Sequence, residues 1–385
     1  MKQARRVFIL KPDNLGDVVL FSGALRHLRA RYPDARITLC VKRYVGNLVE
    51  HCPHVDEVVY WEDLHARWPD RVHRVRGMAR LETAIRRRRV GKRFTSDVAI
   101  LPVRAPAAEM HETLRWVPAR ERYGVAGCLS NQTAEVDLAA APGYTSRVQC
   151  GPELDAEHEV RVYQRLLASL GVTVGIEELH PEFWTTSEDR EWAEAHLPRD
   201  PGVALVGLAP GVSAPREKAY APERYREVFA GLRGRPLSVV LFGTESDREM
   251  CDALGGSLSD LPGVTRVQNL AGRTTVRQLV ESLRIPDAIL GPDSAPMHIA
   301  IALRRPTVTI VGGGQFGRFH PWGDPSINRV VNLPMSCYGC DWRCIFSTMR
   351  CVADIPESVV SAALLETLDA AAAELQTAAR TGRTP

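Results

Sequence analysis

The chain has no run of 18 or more apolar residues, which excludes a membrane-spanning helix on length alone. Lys2-Gln3-Ala4-Arg5-Arg6 leads straight into a short strand-like run, so no signal peptide is expected. The loop after the first candidate strand, Arg6–Lys11, has no GxGxxG, which argues against a dinucleotide cofactor there. The carboxyl-terminal half has no Asp-x-Asp pair to hold a divalent metal, and neither an internal repeat nor a low-complexity tract is present. The nine cysteines do not form the framework of a small secreted domain. Four of them crowd between 337 and 351, and the usage suits a reducing cytosol.

What is present suits two domains of ordinary size in 385 residues. The net charge of +3 hides an imbalance, because residues 1–130 hold 25 Lys/Arg against 14 Asp/Glu. A basic amino-terminal part points to an acidic partner: a phosphorylated glycan, an anionic membrane surface or nucleic acid. The densest basic run is Arg71–Arg93, with ten Lys/Arg and one Glu. Met78, Leu81, Ile85 and Val90 allow it an amphipathic helix, and a plain solvated charged face needs the same residues. Nucleic acid is disfavoured, since no aromatics interleave with the charge.

Strands are read at Arg6–Lys11, Ile37–Val41, Val55–Trp61 and Asp97–Val103, with helical patterns between them. After the first strand, Pro-Asp-Asn-Leu-Gly-Asp opens a helix over VVLFSGALRHLRARYP, placing Asp17 at the helix mouth as a candidate N-cap. Residues 155–170 read as a helix ending at Gly171, and a mixed, proline-punctuated segment follows to Pro201. A second βα series starts at Val203–Leu208. It continues through the helix Pro222–Leu232, the strand Leu237–Phe242, and helices at Ser246–Leu254 and Val276–Leu283. Ala288–Gly314 then reads as strand, tight turn, short helix, strand and glycine loop. Asp293 and Ser294 are capping types and Pro296 suits a first turn, so the helix start can hold an anion or simply be capped. Pro356–Ala379 is an alanine-rich helix with Val359, Val360, Ala363, Leu364 and Leu368 on one face. The fold class is α/β.

Four segments carry a resemblance to a known family: ILKPDNLGDVVLFSGALRHLRARYPDARITLCV; LVGLAPGVSAPREKAYAPERYREV; LFGTESDRE with NLAGRTTVRQLVESL; and DSAPMHIAIALRRPTVTI. In order and spacing they resemble glycosyltransferase family 9, the ADP-heptose:lipopolysaccharide heptosyltransferases. The resemblance implies a GT-B fold of two Rossmann-like domains facing across a cleft. It implies an acceptor-side domain over 1–185, a donor-binding domain over 201–355, and a last helix over 356–385 crossing back to the first. The implied reaction is an inverting, metal-independent transfer from an ADP-heptose-like donor to an acidic glycan, lipid-linked saccharide or protein, with no catalytic cofactor. The implied place is the cytoplasm, at the inner face of the inner membrane. Carried over, Asp17 becomes the general base and Lys218 meets the donor diphosphate. Gly16, Gly211, Ser213, Glu245, Asp293, Ser294, Ala295, Met297 and His298 fall in the donor site, with Glu245 near the ribose. His298 equally suits a hydrogen-bonded core role. Ala214 stands where some members have a hydroxyl. Gly312-Gly313-Gly314-Gln315-Phe316-Gly317 stands where many have a Gly-Pro-Thr-Asp-Pro type loop, which leaves the sugar and base open.

Cys337, Cys340, Cys344 and Cys351 are spaced C-x2-C-x3-C-x6-C, with Tyr338-Gly339 fit for a tight turn. Four thiolates at this spacing can reach one structural zinc or iron. Reduced cysteines in a compact loop, or pairs closed by oxidation, are the alternatives. Two functional alternatives also stay open: a GT-B transferase using another nucleotide sugar, and a non-catalytic nucleic-acid or glycan-binding protein.

Overall fold

Val7, Phe8, Ile9 and Leu10 are at most 1% exposed. Strands covered on both faces read as unbroken apolar runs, and this one is the middle of a parallel sheet. In this computed structural model residues 4–65, 78–126, 143–149, 157–213, 215 and 218–381 are described. The chain divides into two units, Met1–Trp184 and Thr185–Pro385. The first holds β1 (Arg6–Leu10), β2 (Arg36–Val41), β3 (Glu57–Tyr60), β4 (Ser96–Leu101), β5 (Ala119–Ala126) and β6 (Ser146–Gln149). All pair in parallel, in the order β3-β2-β1-β4-β5-β6.

The second unit repeats this plan. Its strands are β7 (Ala204–Leu208), β8 (Leu237–Leu241), β9 (Val264–Asn269), β10 (Ala288–Pro292), β11 (Thr307–Ile310) and β12 (Asn328–Val331). Their order is β12-β11-β10-β7-β8-β9, again parallel throughout. Counted from its own first strand, each unit has the doubly wound order 3-2-1-4-5-6. The fold is α/β, with two Rossmann-like sheets.

Several local expectations need correction. Asn14, not Asp17, occupies the N-cap of the helix Leu15–Arg31, and Asp17 lies in its first turn. The strand expected to end at Trp61 stops at Tyr60, and Trp61 starts a short helical turn. The mixed segment before 201 contains a helix, Ser187–His196, started by a capping box between Thr186 and Asp189. In the basic helix, Met78–Arg93, the inward positions are Glu82 and Val90, while Leu81 and Ile85 face outward. Residues 71–77 of the basic run, and Ala214, lie outside the described residues.

The last helix, Glu357–Thr381, buries Val360, Leu364 and Leu368 in the core of the second unit. It is tied there by Arg224 to Glu357 at 2.5 Å and by Ser361 Oγ donating to the Val228 carbonyl at 2.8 Å. Val359, assigned from sequence to the buried face, is exposed. No helix of the described residues is long and apolar enough to cross a membrane.

Candidate functional site

In an open parallel sheet the crevice for ligands forms where successive connections leave neighbouring strands in opposite directions. In the second unit that point lies between β7 and β10. Both strands end there in sequence that lets the backbones close up. A Cβ on Gly291 would lie 2.6 Å from the Ala209 carbonyl oxygen, and one on Gly211 would lie 3.0 Å from the Asp247 carboxylate. The site therefore collects the loop after β7, with Gly211 and exposed Ser213, and the turn after β10, with Asp293 and Ser294.

Ser294 is the N-cap of the helix Ala295–Ala302, with an extended backbone. Its side chain makes no capping bond, and its buried Oγ finds no partner among the described residues. The helix start thus keeps unspent hydrogen-bonding capacity, beside the positive end of the helix dipole. Ala295 is the first helical residue. Met297 is fully buried, so its thioether belongs to the packing under Gly291.

Asp293 is held by two histidines. His298 Nε2 and His320 Nε2 lie 3.2 and 3.3 Å from its Oδ1, and the two rings stack with centroids 4.8 Å apart. Burial pushes the Asp293 pKa up, but the contacts with His298 and His320 outweigh it and hold the carboxyl well below its usual range. Burial lowers the His298 pKa in spite of the carboxylate. Trp322 Nε1–H donates to His298 Nδ1 at 3.0 Å, so the neutral ring carries its proton on Nε2 and donates it to Asp293. Asp293, His298 and His320 are also a metal-type set, with ligand atoms within 4.8 Å of one another. The tryptophan bond argues against that use, because it occupies the one free lone pair of His298 and leaves Nε2 protonated. The geometry makes His298 a hydrogen-bonded anchor for the turn. His320 and Trp322 were missed from sequence: they lie in a loop with no periodicity, and only their ring chemistry hints at a role.

Lys218 stands 5.9 Å from the Trp342 ring centroid, and its charge is felt at His298. Glu245 follows β8 in a short helical turn; its exposed carboxylate pairs with Arg248 at 2.5 Å and lies over Gly272. The glycine loop after β11 is covered by rings: Tyr338 packs on Gly313, and Trp342 on Gly314. Gly339 and Asp341 N–H groups donate to the Gly313 and Gly314 carbonyls at 2.8 Å each. This fastens the cysteine segment to the glycine loop.

The four cysteines are unpaired as disulfides. They line one small cavity of about 10 Å3 together with Gly313, Gly314 and Trp342, which is room for a single water-sized atom. Cys351 Sγ accepts from the Gly313 N–H at 3.4 Å. Burial raises the Cys340 thiol pKa, and the nearby Cys337, Cys344 and Cys351 raise it further. A bound cation would reverse that repulsion, so the donor set fits a metal chemically. Among the described residues, however, only the Asp293 set already converges within 4.8 Å, and the sulfurs must close further to share an ion.

In the first unit the corresponding point lies between β1 and β4. Gly16 and Asp17 sit in the first turn of the helix that follows β1. Beneath them is a group the sequence reading missed. Lys11 is fully buried, and its Nζ donates to Asp13 Oδ2 (2.6 Å), the Pro102 carbonyl (2.9 Å) and Tyr163 Oη (3.0 Å). These partners use all three of its protons. Tyr163 in turn donates to the Asp17 carbonyl at 3.3 Å, pinning the turn that carries the carboxylate. The one available signal was a lysine closing an apolar strand.

Two doubly wound sheets, one of them opening a helix start onto its switch point, define a two-unit Rossmann-type protein of the GT-B kind. Comparison with known proteins gives the family. The sequence profile described as glycosyltransferase family 9 (heptosyltransferase) matches residues 145–341, just over half of the chain. Lipopolysaccharide heptosyltransferase 2 of Salmonella typhimurium is 25% identical over 313 residues, covering 80% of this chain and 82% of that protein. Lipooligosaccharide heptosyltransferase 2 of Campylobacter jejuni is 26% identical over 162 residues, 41% of this chain; the match spans only half of that relative's length. The structure of E. coli ADP-heptose LPS heptosyltransferase II superposes with a TM-score of 0.68 at 20% identity, covering 96% of this chain and 99% of that one. The chain belongs to glycosyltransferase family 9.

Proposed function

We propose that the protein is an inverting, metal-independent heptosyltransferase, moving a heptose from an ADP-sugar to a hydroxyl of a surface glycan, lipid-linked saccharide or protein. The observation that carries the reading is the second unit's switch point, where Ser294 Oγ, without a partner among the described residues, opens the helix Ala295–Ala302 and the charge of Lys218 is felt at His298. Such a group of donors suits a diphosphate, whose charge grows as the glycosidic bond breaks. Lys218, the Ser294 hydroxyl and the positive end of the helix dipole meet that charge, while Glu245, on the β8 loop, takes the ribose hydroxyls. In the first unit Asp17 takes the proton of the attacking hydroxyl, held in position through Tyr163 and Lys11. No second carboxylate adjoins Asp17 in sequence, which favours one displacement over a covalent double displacement. The covered glycine loop 312–314 favours a second reading, in which the same site takes another nucleotide sugar. The cysteine cluster is proposed to hold one structural zinc or iron, apart from the chemistry.

The test is thermal shift against a panel of nucleotide sugars, followed by release of nucleotide in the presence of a glycan acceptor. Selective stabilisation by ADP-sugars is expected. Stabilisation by a different nucleotide sugar alone selects the second reading, and stabilisation by oligonucleotides alone removes both.

A further inference from the structure

The helix Met78–Arg93 carries a surface that the transfer reaction leaves unexplained. Leu81 and Ile85, one turn apart, are 49% and 46% exposed, although Val90 on the same helix is buried. Arg88 and Lys92 continue that exposed stripe at positions i+7 and i+11 from Leu81. Beside it, the helix Ala108–Trp116 forms one wall of a groove of about 580 Å3. The groove is lined by Arg80, Arg87, Arg88 and Arg115, with Glu112 its one acid. Arg89 and Arg93 of the same helix are spent, on the Asp63 carbonyl at 2.7 Å and on Glu57 at 3.0 Å. The four groove arginines form no salt bridge among the described residues.

Unspent cations flanking an exposed aliphatic pair match an interfacial helix, whose apolar side chains enter the headgroup boundary while its cations meet lipid phosphates. A free phosphorylated saccharide would account for the arginines but not for Leu81 and Ile85. A nucleic acid would need exposed rings for stacking, and Trp116 in this groove is buried. We propose that this face docks the protein on an anionic phospholipid bilayer, with Leu81 and Ile85 in the headgroup–acyl boundary and Arg80, Arg87, Arg88, Lys92 and Arg115 on the phosphates.

Sedimentation of the full chain with vesicles tests this without donor or acceptor, so its outcome is separable from that of the transfer reaction. Vesicles of phosphatidylcholine with about one third phosphatidylglycerol should bind the protein, pure phosphatidylcholine should not, and added salt should weaken binding. Replacing Arg80, Arg87, Arg88 and Arg115 by Gln should cost about fivefold per charge, on the order of 10² or more together. Leu81→Ser with Ile85→Ser should cost roughly tenfold with every charge intact. Melting curves check that the variants fold. If the quadruple variant does not, Arg88→Gln alone and a Leu81→Trp probe replace it. That probe should shift to the blue on vesicles and be quenched by brominated acyl chains. The proposal is overturned by failure of the wild type to bind the anionic vesicles, by binding indifferent to Leu81 and Ile85, or by an unquenched probe. Release from vesicles by a soluble sugar phosphate at constant ionic strength would also overturn it, assigning the groove to a glycan.

Discussion

Replacing His298 by Phe keeps a flat ring in the buried slot but removes the Nε2–H that holds Asp293 at 3.2 Å. A hydrogen bond to an ionised carboxylate is worth about 1.5–3 kcal/mol. Trp322 also loses its acceptor, but it is only half-buried and water can take its N–H, which adds little. His320 remains beside the carboxylate at 3.3 Å and limits the loss. The expected cost is therefore about 2–3 kcal/mol, or roughly 4–12 °C in the melting of the second unit. The pH dependence has a definite sign. Below the ordinary histidine pKa of about 6.5 the unfolded chain takes up a proton that folded His298, with its lowered pKa, refuses. Wild-type stability therefore falls as pH drops through that range. It falls again below about 4, where unfolded Asp293 protonates but the folded carboxyl, held low, does not. His298→Phe removes the first loss and moves the folded Asp293 pKa up. The stability gap between wild type and variant should thus be wider at pH 8 than at pH 5. Urea unfolding at the two pH values, following the second unit's transition, measures it. A gap under about 0.5 kcal/mol at pH 8, or one that widens toward pH 5, would refute the anchor reading.

Asp17→Asn should cost roughly 10²–10⁴ in turnover with ADP-sugar binding nearly unchanged, and full turnover would remove Asp17 from the chemistry. Lys218→Ala should weaken both donor binding and turnover, since its charge meets the diphosphate before and during bond breaking; a loss confined to acceptor affinity would contradict its placement. Lys11→Met leaves Asp13, Tyr163 Oη and the Pro102 carbonyl without their shared donor, at about 2–4 kcal/mol in the first unit's unfolding because Asp13 is partly exposed. A Lys11→Met variant as stable as wild type would show that the buried ammonium does not hold this loop. Protein purified without chelator should carry close to one zinc or iron per chain, and less than about half an equivalent by elemental analysis would end the metal reading of the four cysteines.

The sheets were legible where strands are covered on both faces. VFIL, over 7–10, and the run ending at Gly291 are unbroken apolar stretches because they lie in the middle of parallel sheets. The strands passed over lie toward the edges. β5 reads ARERYGVA and β9 reads VTRVQN, each carrying charge on a partly exposed face, so neither period nor composition marks them. The cap of the first helix was misplaced because Asp13, Asn14 and Asp17 are all capping types within five residues, and only backbone angles decide among them. Lys11 was invisible for a different reason. A lysine after a strand reads as solvated, and its burial depends on Tyr163, 152 positions along the chain. His320 likewise gains its meaning from Asp293, which it meets only through the tertiary fold.

The two units share one strand order but spend their polar groups differently, and this difference says which of them suits an anion. At the first unit's switch point the available cation is already saturated: Lys11 has no exposed surface, and its three protons go to Asp13, Pro102 and Tyr163. The residue carried above it is the acidic Asp17, so that switch point favours a proton acceptor over a phosphate. At the second unit's switch point the acid is the group that is saturated. Asp293 stays ionised, but its carboxylate is occupied by hydrogen bonding to neutral His298 and by contact with His320, which fixes that charge within the turn. What remains is the Ser294 hydroxyl, unpartnered among the described residues, the helix start and the charge of Lys218. The same topology thus leaves a carboxylate above a saturated cation in one unit and, on the proposed reading, hydrogen-bonding capacity for an anion in the other. If His298→Phe lowers ADP affinity while Trp322→Phe, which leaves the Asp293 contact in place, does not, the anchoring of Asp293 by His298 is what makes the second site ready.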